Sequence, residues 1–180
     1  MKIHPLFLLA LALSIISCDK ESNSENEFKA IAGEIHIGMQ GFLTSNALFD
    51  FINEYEFENK SVQGMCFYSE LPTDSLNFME KELEGHNFVS HFHLRKDPNG
   101  AQILVFPQFE EFHLKQNQEA WRQIISKLEL SQMDQAYTLL IIVEDGKEKE
   151  IIKELQNLSF IRFAERNSLI RAPNSNYYQK

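Results

Sequence analysis

Two stretches of this chain repeat one another's apolar spacing at a nearly constant distance. Ala47, Phe51, Ile52, Tyr55, Glu56 and Phe57 match Ala120, Ile124, Ile125, Leu128, Glu129 and Leu130 at an offset of 73. Further on, Glu82, Leu83, Phe88 and Val89 match Glu154, Leu155, Phe160 and Ile161 at an offset of 72. Two amphipathic helices share some apolar positions by chance. An offset that holds within one residue across helix, turn and strand points instead to an internal duplication. Any fold for this chain must therefore accommodate similar material twice.

The periodicities predict six strands and four helices. Glu34–Met39 alternates Ile35, Ile37 and Met39 against Glu34, His36 and Gly38, as a half-buried strand does. Val62–Tyr68, Phe88–Arg95, Gln102–Phe109 and Phe160–Glu165 are further strands, and Tyr137–Val143 is apolar enough to be central. Helices are expected around Leu48, Phe51, Ile52 and Tyr55, with Thr44 or Ser45 as N-cap, and around Leu76, Met79 and Leu83 after a capping turn at Leu71–Asp74. A third carries Trp121, Ile124, Ile125 and Leu128, and a fourth carries Ile151, Ile152, Leu155 and Leu158. Asp97-Pro98-Asn99-Gly100 is a turn that reverses one strand into the next.

These elements describe an α+β domain over residues 28–170, with halves at about 34–95 and 102–166. The expected architecture is a duplicated ferredoxin-like βαβαβ unit: one six-stranded sheet with four helices mainly on one face. The other face of the sheet would then be open. Fifteen phenylalanines are many for four helices to cover, and an uncovered apolar face marks a contact site.

The first 17 residues stand apart. One basic residue, Lys2, precedes an apolar run from Leu6 to Ile16, which is too short for a bilayer that needs roughly 20 apolar residues. A charged start, a short apolar stretch and a small residue at the cut describe a secretory signal. Ile15-Ile16-Ser17-Cys18 resembles the lipobox of bacterial lipoproteins, in which signal peptidase II cuts before a cysteine that carries lipid. The resemblance implies lipid attachment at Cys18, removal of residues 1–17 and a membrane-anchored protein of the bacterial cell envelope, periplasmic or surface-exposed. Asp19-Lys20-Glu21 is similar to the surface-export signal of Bacteroidota-type lipoproteins, although an aspartate after the cysteine resembles inner-membrane retention in enterobacteria. Residues 18–27 would be the lipidated cysteine and a polar tether, and residues 171–180 a loose tail.

Charge and cysteine content narrow the function. Seventeen basic residues less Lys2 leave 16 against 26 acidic ones, a balance that argues against nucleic acid as a partner. With Cys18 lipidated, Cys66 has no intrachain partner. Its apolar surroundings make it a buried, inert thiol. No phosphate-cradling glycine motif, His-Glu-x-x-His, nucleophile elbow or paired zinc cysteines occur. No cofactor is expected.

His91 and His93 project from one face of a strand, and His36 faces away from Ile35 and Ile37 on another. Three imidazoles of this kind can hold zinc at about 2.0–2.1 Å. The plainer reading is a wet sheet face, unless the first and third strands are neighbours. Glu110-Glu111 and the run Glu54–Glu58 show no facing arrangement, so no catalytic residue is assigned. The expected function is a lipid-anchored binding module that uses its sheet face against a protein partner or a second copy. The alternative is an envelope hydrolase or metal-dependent enzyme built on His36, His91 and His93.

Overall fold

In the computed structural model, which describes residues 29–169, four helices alternate with eight strands. The first half runs β1 (Lys29–Met39), α1 (Ser45–Glu54), β2 (Glu58–Gln63), β3 (Phe67–Ser69), α2 (Leu76–Glu84) and β4 (Val89–Lys96). The second runs β5 (Ile103–Phe109), α3 (Lys115–Lys127), β6 (Leu130–Gln132), β7 (Tyr137–Ile142), α4 (Glu148–Leu155) and β8 (Ile161–Leu169). Both halves follow one order: strand, helix, strand, strand, helix, strand. The expected signal segment 1–17, Cys18 with its expected tether and the expected tail 171–180 lie outside the described residues.

The sheet is antiparallel and has eight strands, where six were expected. The expected strand Val62–Tyr68 is interrupted between Gln63 and Phe67, because Gly64 adopts φ +88°, a left-handed conformation that bends the line. β2 and β3 nevertheless follow one another along the same side of β5, since β4 occupies the other side from Ile103 to Phe109. Pro107, which has no N–H to donate, stands on β5 where that line is broken. β6 is only three residues long and pairs with β3 alone, too short to announce itself by alternation.

A second correction concerns the unit of folding. No two strands of the same half pair with one another among the described residues. β1 pairs with β7 and β8, β2 with β5 and β7, β3 with β5 and β6, and β4 with β5. A self-contained ferredoxin-like unit within either half therefore does not form. Alternation in a sequence tells which face a residue takes, not which strand lies beside it.

The four helices cover one face. Ile35, Ile37 and Met39 of β1, Phe67 of β3, Ile103, Val105 and Phe109 of β5, and Leu139 and Ile141 of β7 are all buried. They pack with Leu48, Phe51 and Ile52 of α1, Met79 and Leu83 of α2, Trp121 and Ile124 of α3, and Leu155 of α4. Trp121 stands edge-on to Phe67 and Phe109, at 5.3 and 4.6 Å between ring centroids, and so locks α3 onto the middle of the sheet. Thr44 caps α1 through the Ala47 N–H at 3.4 Å, as expected. Asp74 does not cap α2, whose N-cap is Ser75 without a side-chain bond. The turn after β4 matches its sequence: Asp97 Oδ1 accepts from the Ala101 and Gln102 N–H groups at 2.6 and 3.0 Å.

Candidate functional site

The sheet face away from the helices is the expected open one. Glu165, His36, Leu140 and Ser61 lie across β8, β1, β7 and β2 in one row. Arg95, Leu104, Tyr68 and Ser131 lie across β4, β5, β3 and β6 in another. Leu104, Phe106, Leu140 and Phe163 are partly buried there, and Ile142 is 39% exposed. Phe163 lies flat against Gly38, where a Cβ would collide with the ring, and meets His36 edge-on at 5.5 Å. Arg95 sits over the Phe106 ring at 4.8 Å. The face is thus a mixture of apolar patches and long polar side chains.

The three histidines are on this face but not together. His91 and His93 extend from β4, and a bulge between Val89 and His91 sets their phase, so that Val89 turns inward. His36 is on β1. β5, β2 and β7 lie between those strands, and four strand spacings place His36 roughly 19 Å from His91. The zinc triad is therefore not assembled. Among the described residues no three histidine, cysteine or acidic side chains converge in metal-binding geometry.

Polar groups at the margins of the face are matched locally. Glu34, 9% exposed, accepts from Lys60 Nζ at 2.7 Å and from Asn167 Nδ2 at 2.6 Å. The Lys60 hydrogen bond is the main reason that its carboxyl lies below the usual range, with burial opposing and Asn167 assisting. Cys66 is free and buried, with Sγ 3.3 Å from Met133 Sδ. Burial pushes its thiol up, against a smaller opposing effect of Arg95, so it is held away from the reactive thiolate.

On the helix side, two comparable corners differ. Gln132 is the third residue after left-handed Glu129, and Asn59 the third after left-handed Glu56, with φ +49° and +53° at the two glutamates. Gln132 Oε1 accepts from the N–H and the hydroxyl of Ser45 at 2.8 and 3.0 Å, and its Nε2 donates to Leu43 O at 3.0 Å. The start of α1 is thereby closed. Asn59, one methylene shorter, accepts from the His113 N–H at 2.7 Å, and its buried Nδ2 has no partner. His113 Nδ1 is likewise buried and unpaired, and Leu114, the N-cap of α3, offers no side-chain cap. Beside this corner lies a cavity of about 320 Å³ lined by Asn53, Glu56, Glu58, His113 and Lys115 over Ile52 and Phe57.

Sequence reasoning passed over Asn59, His113 and Gln132. Asn59 and Gln132 lie among other polar residues on short strands, and only the fold brings them to the starts of helices distant in sequence, whereas His113 stands directly before α3. Glu56 and Glu58 come from the acidic run considered above, and both are exposed at the cavity mouth. Glu110 and Glu111 follow β5 and do not line that cavity. No helix among the described residues is long and apolar enough to cross a membrane. No family model, curated protein or solved structure matches the chain.

Proposed function

We propose that the protein is a lipid-anchored module of the bacterial cell envelope that binds a protein partner through the open face of its sheet. The observation that carries this reading is the set of outward apolar side chains, Leu104, Phe106, Leu140, Ile142 and Phe163, on the face opposite the helices. An apolar surface that stays in water is unfavourable by about 25 cal/mol per Å², so a partner that covers it gains that energy. The lipobox-like residues before Cys18 support anchorage by lipid, which would hold the module at a membrane surface. Two or more acyl chains are needed for a firm hold.

A photo-cross-linking residue placed at Leu140 or Ile142 in cells should give discrete adducts, from a partner or from a second copy. The same residue at exposed Glu119 on α3 should give none. Indistinguishable patterns from the two faces would remove the sheet-face reading. Anchorage is tested separately: Cys18→Ser should abolish labelled palmitate incorporation and release the protein from membranes.

The chain also reads as an internal duplication, as its repeated apolar spacing suggested. Several local features support that history. α1 and α3 end alike, with the Tyr55 N–H on Phe51 O and the Leu128 N–H on Ile124 O, and a left-handed glutamate follows each. The bulged residue Ser90 of β4 and its counterpart Arg162 of β8 stand at the same offset of 72. The Glu110 N–H bonds Phe88 O as the Gln40 N–H bonds Phe160 O.

A further inference from the structure

The pairing of the strands bears on what each half can do alone. Among the described residues all seven strand pairings cross from the first half to the second, β4–β5 among them. The side-chain ties across the helix layer cross as well. Asn53 and Gln118 exchange two amide hydrogen bonds at 3.1 Å, Gln132 closes the start of α1, and Glu148 of α4 accepts from the Gly33 N–H of β1 at 2.9 Å. Phe67 packs on Trp121 and Phe51 on Phe160. Between the halves runs only the turn from Asp97 to Gln102, in which residues 98–102 are exposed.

We propose that this turn is a tether and nothing more: the two halves are obligate folding partners, and a chain cut at the turn persists as one folded two-chain particle. A strand without a neighbour leaves its N–H and C=O groups unpaired, and one half has only helices to offer its own strands. Neither half can therefore build a sheet by itself, while the pair completes all of it. Each half also presents the surface that the other half of a second copy would fit, so the same recognition can act between chains once the turn is open. The closed turn favours the intramolecular form, because a short tether supplies an effective concentration of the order of millimolar. This inference is independent of the sheet-face reading.

The test uses the whole protein with a protease recognition sequence inserted between Asn99 and Gly100. After cutting, the protein should elute at the mass of the intact chain and keep its circular dichroism spectrum. Its melting midpoint should become concentration-dependent, since at about 1 μM the loss of the tether weakens association by roughly a thousandfold. The two pieces, separated in denaturant and returned singly to buffer, should show no cooperative melt. Mixed, they should regain the original spectrum. The inference is overturned if the uncut insertion variant does not fold, if the pieces part on cutting under native conditions, or if they fail to regain the spectrum when mixed. A cooperative melt by either piece alone would overturn it equally.

Discussion

The start of α1 and the start of α3 are the same problem solved to different depths. At α1, Thr44 caps the first turn and Gln132 satisfies Ser45 and Leu43 from across the sheet. At α3 there is no side-chain cap, and Asn59 reaches only the His113 N–H and leaves its own amide nitrogen unpaired. One methylene and one hydroxyl account for the difference. The lesson is that equal apolar patterns produce equal cores but not equal polar closure, because apolar contacts tolerate shifts that hydrogen bonds do not.

The comparison breaks first in the core if the halves are not equivalent there. Phe51 and Ile124 are 4% and 1% exposed on α1 and α3, and Leu83 and Leu155 are fully buried on α2 and α4. Truncation of any of the four to alanine should cost about 2–5 kcal/mol in chemical denaturation, through lost transfer energy and an unfilled cavity. A member of either pair that costs less than about 1 kcal/mol would end the equivalence.

Glu148 sharpens the contrast at the other two helices, because it has no counterpart in the first half. It opens α4 where Leu76 opens α2, and its buried carboxylate accepts from Gly33 and pairs with Arg166 at 3.3 Å. The Gly33 N–H first, then the N–H of its own residue, hold its carboxyl below the usual value of 4.5. A depressed carboxyl contributes stability above that value and loses it as pH falls through the lower folded value. Glu148→Gln should therefore lower the melting temperature at pH 7, and the gap to the parent should close as the solution is acidified. A gap that stayed constant down to pH 2 would show that shape, not charge, is what matters at this position.

The corners themselves come next. Gln132→Ala leaves the Ser45 N–H without its partner, while the Leu43 carbonyl keeps the Tyr137 hydroxyl at 3.2 Å, and should cost about 1–3 kcal/mol. Asn59→Ala leaves the His113 N–H unpaired but also removes an unpaired buried amide, so it should cost less, about 1 kcal/mol. Equal costs in parallel urea titrations would mean that the two corners are closed alike. The smallest effect is expected to be a matched gain. Glu56→Gly and Glu129→Gly relieve left-handed backbone at exposed positions, a strain of about 1–2 kcal/mol offset by roughly 0.5–1 kcal/mol of added chain entropy, so each should stabilise slightly. A gain at one position with a loss at the other would set the two turns apart.

Much of the secondary structure was legible because it rests on local physics. All four helices and the inward set of β1 follow from spacing, and the 97–100 turn follows from Asp97 and Gly100. Some of the misses are local too. The break at Gly64 and the bulge at Ser90 are single-residue events inside runs that otherwise keep their period, and β6 is only three residues long. The open face was anticipated by alternation, but its histidine cluster was not decidable. His36 and His91 share a face whatever the strand order, and only that order places three strands between them.

The sequence by itself settled which residues are apolar and at what period. Burial follows from those facts almost without regard to partner, since the hydrophobic effect has no direction. Tertiary structure alone decided that every strand lies beside strands of the other half, that Gln132 closes one corner and Asn59 only part of the other, and that the histidines stay apart. Backbone pairing offers nearly the same hydrogen bonds to any extended neighbour, so the choice among neighbours belongs to the packing of the whole chain and cannot be read from any one segment.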